Sequence, residues 1–148
     1  MRQQFIVKWV ALAILSVGLT VTQGMAQTLG NLFQMMGGMD TVKKLSGDFL
    51  QSAAKDPRLS GLLGKADTSA MAPKLSDQMC SMLGGGCKAP LTSQQIAAGS
   101  SKLDANQTKA LGDNFSSSLS SVTSNPLARE GVSKAIAPKL GGIVGGLL

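Results

Sequence analysis

Two cysteines, a scatter of methionines and the absence of any histidine or tyrosine define the chemistry open to this 148-residue chain. Cys80 and Cys87 are the only thiols, and an even pair in an exported chain most often closes a disulfide. Closing a loop of about eight residues stabilises by about 2.5 kcal/mol in the chain-entropy description. A redox couple or a thioether haem attachment would want two residues between the cysteines and a following histidine, and neither is present.

Methionine sulfur is a soft ligand, and Met35, Met36 and Met39 suggest a thioether site for Cu(I). Met36 and Met39 straddle Gly37-Gly38, however, and core filling accounts for all three. Met71, Met79 and Met82 recur at helical spacing, again the pattern of an adaptable core. Nucleophilic catalysis lacks its parts. Ser101-Lys102 and Ser133-Lys134 have no supporting motif, and no histidine exists to activate a serine. Asp40, Asp48, Asp56, Asp67, Asp77, Asp104 and Asp113 fall at helix starts or on polar faces, where capping explains them. The glycine clusters follow helical patterns, so they end backbone instead of cradling phosphate. These residues point to a protein that is not an enzyme, with no catalytic set and no metal set.

The chain carries its own address. Arg2 and Lys8 precede the apolar run Trp9 to Val21, and Gly24-Met25-Ala26 supplies small residues for cleavage after Ala26. Residues 1–26 are read as a secretory signal and residues 27–148 as one domain. The domain is expected to be exported, to the periplasm or outside the cell, with the membrane involved in export and at most in surface association. Without the signal, twelve basic and eight acidic residues remain, a net charge of +4. The cations are dispersed, and only Phe33, Phe49 and Phe115 remain as aromatics, which argues against nucleic acid as a partner.

Positioning falls to helices, because no segment alternates with period two. Thr28 to Met36 is expected to form a first helix, ended by Gly37-Gly38. Val42, Leu45, Phe49, Leu50 and Ala53 give the next one a buried stripe. Asp56-Pro57 should restart a helix, with Asp56 as its cap and Pro57 at its first position, in a short helical turn through Leu59, Leu62 and Leu63 that stops at Gly64. Asp67 caps a helix carrying Met71, Leu75, Met79, Met82 and Leu83, with Pro73 expected to kink it or delay its start. The glycines at 84–86 end it. Thr92 to Gln95 has the spacing of a capping box, and Asp104 caps a helix with Leu111, Phe115, Leu119 and Val122 inward and serines outward. Asn125-Pro126 starts the last helix, in which Pro138 should kink and Gly141-Gly142 and Gly145-Gly146 should weaken the final turns. The fold class is all-α.

These helices resemble the truncated haemoglobins of the group 1 type, short globins that pack two helices on two. The resemblance rests on Leu32-Phe33-Gln34-Met35-Met36-Gly37-Gly38, Gly47-Asp48-Phe49, Lys55-Asp56-Pro57-Arg58-Leu59 and Leu83-Gly84-Gly85, and fades towards residue 140. It implies a two-on-two helical fold. Where the family places its proximal histidine, this chain has Ala98, and no change of register supplies another. Leu50 stands where a distal tyrosine is common, Leu62 or Leu63 where an aromatic stacks on the haem, and Leu75 where a distal glutamine occurs. The resemblance therefore implies a degenerate member with a vestigial pocket at Phe49, Leu50, Leu62, Leu63, Leu75, Met79 and Ala98, and no bound cofactor. Its expected function is that of a small non-enzymatic module binding an unidentified apolar ligand or protein partner. The alternative is a haem protein handling oxygen or nitric oxide through a non-histidine ligand, for which Met71, Met79, Met82 and Cys80 are the available donors.

Overall fold

The computed structural model describes residues 32–148, and the expected signal at 1–26 lies outside them. Among the described residues every regular element is helical: α1 Met39–Lys55, α2 Ser60–Leu63, α3 Thr68–Met82, α4 Ser93–Ser100, α5 Ala105–Val122 and α6 Pro126–Leu147. A helical turn at residues 32–35 precedes α1.

The glycine clusters act as helix stops by one mechanism. At the first, the Gly37 N–H donates to the Gln34 carbonyl and the Gly38 N–H to the Phe33 carbonyl, the paired bonds of a Schellman cap. That cap needs a left-handed residue, and Gly37 supplies it with φ of 98°. At the second, Gly84 N–H donates to Ser81 and Gly85 N–H to Cys80, with Gly84 at φ 82°. Gly85 has a different constraint. A Cβ there would lie 2.6 Å from Cys80 Sγ and 2.7 Å from the Phe33 ring, so the opening turn packs directly on the end of α3.

The stripe expected on α1 is the centre of the core. Val42, Leu45, Phe49, Leu50 and Ala53 are all buried, and Phe49 meets Phe115 of α5 edge to face at 5.8 Å between ring centroids. α1 packs on α3 and α5, and α6 packs on α3, α4 and α5. The caps fall where the residue types place them. Asp67 accepts from Ala70 N–H at 3.1 Å; Thr92 with Gln95 and Asp104 with Gln107 each form reciprocal capping boxes; Asn125 accepts from Leu127 N–H at 3.0 Å ahead of Pro126. The serine-rich segment is helical, although Ser118 points inward rather than to solvent.

Three expectations need correction. Pro57 does not open a helix: residues 57–59 form a turn, and α2 begins at Ser60. Pro73 delays nothing, since α3 runs from Thr68 through it. A proline six residues into a helix removes one ladder bond, and the Asp67 cap anchors the turn before it. The glycine pairs near the C-terminus do not fray α6, which is continuous to Leu147. They serve as a seam instead. A Cβ on Gly142 would collide with the Ile96 carbonyl oxygen, one on Gly145 with the Gly99 carbonyl oxygen, and one on Gly99 with the Gly142 oxygen and Gly146 nitrogen. The backbones of α4 and α6 touch where any side chain would hold them apart.

Cys80 and Cys87 are disulfide-bonded, with Cα atoms 5.6 Å apart. The bond closes the turn that follows α3, and Gln78 reinforces the exit by accepting from Leu91 N–H at 3.1 Å. Replacing both cysteines with alanine is expected to lower the unfolding free energy by about 2.5 kcal/mol, because the unfolded chain regains the freedom of that loop. Urea denaturation of the oxidised protein and of the double variant checks this.

Candidate functional site

The residues read as a vestigial pocket do not share one environment. Phe49, Leu50, Leu63, Leu75 and Met79 meet in a single core, each at most 1% exposed. Leu62 sits half-buried at its edge, and Ala98 is exposed on α4. Ala98 faces out because its neighbour Gly99 is pressed against α6, and successive helical residues point about 100° apart. The inward face of α4 is thus committed to the glycine seam.

The donor set does not fit a haem. Ala98 has no donor atom and no access to the core. Cys80 is consumed by its disulfide. The Met79 sulfur lies within the core, 3.8 Å from Ser46 Oγ, whose single proton is donated to the Val42 carbonyl at 2.9 Å. Met71 is buried in the core cluster and Met82 is packed partly buried against it, and the chain has no histidine to stand opposite either. Leu50, Leu63 and Leu75 fill their part of the core with aliphatic carbon.

The serine–lysine pairs are also committed elsewhere. Ser101 Oγ donates to the Ala98 carbonyl at 2.7 Å. Lys134 pairs with Glu130 at 2.8 Å, and this bond pushes the Lys134 ammonium above its ordinary value, the opposite of what a general base requires. Of the methionines considered for Cu(I), Met35 is exposed, Met36 buried and Met39 half-buried.

Two features were not visible as sites in the sequence. The first joins the break after α1 to α5. Asp56 accepts from Arg58 Nη2 at 2.8 Å, from the Arg58 backbone N–H at 2.9 Å and from Asn114 Nδ2 at 2.8 Å. Arg58 reaches on to Asp113 at 3.2 Å, which Lys109 also holds at 3.1 Å. The hydrogen bonds from Arg58, side chain then backbone, and from Asn114 hold the Asp56 carboxyl well below the usual carboxylate range. Bonds from Lys109 and then Arg58 lower Asp113 as well. A carboxyl depressed in the folded state stabilises above its unfolded pKa of about 4, and loses that contribution as pH falls towards its folded value. Wild-type stability is therefore expected to decline below pH 4, and Asp56→Asn to flatten that decline; thermal melts between pH 2 and pH 6 measure both slopes.

The second feature is a surface groove of about 480 Å³ where α2, the start of α3 and the end of α6 meet. Leu62, Met71 and Leu147 give it apolar walls, and Lys65, Lys74 and Lys102 stand around it. A smaller groove of about 260 Å³ follows the α4–α6 seam past Ile96 and Pro138. The five core residues of the expected pocket line neither groove. Among the described residues no helix is long and apolar enough to cross a membrane.

No protein-family model, curated protein or solved structure matches the chain.

Proposed function

We propose that this protein is an exported, non-enzymatic helical module of truncated-globin type whose haem site has decayed, and that it acts by binding at its surface. The observation that carries this reading is the closed interior: Phe49, Leu50, Leu63, Leu75 and Met79 pack against one another without a donor atom available for iron. The helix pairings are in keeping with two helices on two, with α1 on α3, α5 on α6, and the pairs joined through α1–α5 and α3–α6. Export is supported by the charged, apolar and small-residue succession of residues 1–26 and by the disulfide, a bond of oxidising compartments.

A closed interior makes a sharp expectation for neutral apolar probes. Benzene titrated into the protein, followed through the methyl resonances of Leu50, Leu63, Leu75 and Met79, is expected to produce no saturable shift. Saturable shifts of those methyls would mean that the core holds a ligand cavity, and the surface reading would fail.

A further inference from the structure

The groove between α2, α3 and α6 brings apolar side chains and lysines together. Its apolar walls come from three elements: Leu62 from α2, Met71 from α3 and Leu147 from α6. Its three lysines come from separate places in the chain, after α2, within α3 and after α4. Four of the described cations are neutralised by ion pairs, and several others, Lys43, Lys55 and Lys139 among them, are not. Lys44, Arg58, Lys109 and Lys134 each hold a carboxylate within 3.2 Å. Among the described residues Lys65, Lys74 and Lys102 pair with none. The single acidic side chain of the lining is Asp67, and its carboxylate is turned to the Ala70 N–H as the cap of α3. With three lysines against one side-chain carboxylate, the groove presents net positive charge beside apolar carbon.

From this charge and wall chemistry we infer that the groove binds a free medium- or long-chain carboxylate, its acyl chain along Leu62, Met71 and Leu147 and its carboxylate among Lys65, Lys74 and Lys102. A volume of about 480 Å³ lies within the range typical of small-molecule sites. Open geometry suits a flexible chain with one charged end. Each lysine retains its water on the outer side while the alkyl stem covers apolar surface, so the ammonium groups need not be desolvated to meet the ligand. The inference rests on the surface-binding reading above and names its ligand class.

The test is a titration of the full oxidised domain with decanoate below its micelle concentration, read by the Met71 and Met79 methyl resonances. Met71 reports the groove and Met79 the interior. Decanoate is expected to shift Met71 saturably and leave Met79 unmoved. Decanol, with the same chain and no charge, is expected to bind at least 10-fold more weakly, as is decanoate to the triple variant Lys65→Gln, Lys74→Gln, Lys102→Gln. All three lysines are exposed, and circular dichroism establishes that the variant folds. An unmoved Met71 would overturn the groove proposal and leave the closed-interior reading standing. Movement of Met79 would overturn that reading instead. Equal binding of decanol, or binding only to anionic phospholipid vesicles and never to monomeric decanoate, would also reject the carboxylate site.

Discussion

Gly145→Val is expected to destabilise the protein by about 3 kcal/mol, at the upper end of the cost of forcing carbon into a packed interior. The size follows from what the new side chain meets. A Cβ at Gly145 would run into the Gly99 carbonyl oxygen and lie 2.6 Å from the Gly99 carbonyl carbon, both backbone atoms of a neighbouring helix. A flexible side chain would rotate away; a helical backbone moves only if α4 lifts off α6. Gly99→Ala meets the same obstruction from the other side. Gly47 and Gly112 are the controls, because each lies inside a helix and a Cβ there meets nothing within 4 Å. Gly47→Ala and Gly112→Ala are expected to stabilise by about 0.5 to 1 kcal/mol each through the backbone freedom lost from the unfolded chain. Denaturant midpoints of the four variants separate the two classes. A Gly145→Val protein as stable as Gly47→Ala would show that α4 and α6 do not touch.

Phe49→Ala is expected to cost about 4 kcal/mol, the usual penalty for emptying a buried aromatic site. Phe49 is fully buried and loses its edge-to-face contact with Phe115, so the neighbouring Leu50 and Leu75 would have to collapse inward to close the void. Collapse is resisted on both sides. α1 is fixed at its start by the first glycine cap and at its end by the Asp56 network, which limits how far it can shift. The truncated side chain should leave a dry apolar cavity, and benzene, expected to find no site in the wild-type core, is expected to bind and stabilise the variant. Thermal melts with and without benzene read both effects. A loss below about 1.5 kcal/mol would mean that the core is loosely packed.

Much of the scaffold was legible because it is written locally. A cap needs only a side chain and the N–H groups two or three residues on, which is why Asp67, Thr92, Asp104 and Asn125 could be placed from their own neighbourhoods. The buried stripe of α1 likewise follows from helical period alone. What failed depends on partners distant in sequence. Gly142 and Gly145 read as weak helix because propensity treats glycine as a cost, and nothing local announces that Ile96 and Gly99 will lie against them. That same contact turned Ala98 to solvent, so a position found by counting along the chain ended outside the core. Arg58 and Asp113 are 55 residues apart, and the three lysines of the groove come from separate segments. Asp113 shows a sequence signal only towards Lys109, four residues away on the same helix face.

The decayed haem site is the claim on which the functional reading turns, and hemin titration of the oxidised domain, followed by absorbance in the Soret region, tests it most directly. With no histidine, Cys80 bonded to Cys87 and the Met79 sulfur enclosed beside Ser46, hemin is expected to keep the spectrum of the unligated porphyrin through and beyond one equivalent. A Soret shift that saturates at one haem per chain and disappears on Met71→Leu or Met79→Leu would contradict the account and show a methionine-ligated haem protein.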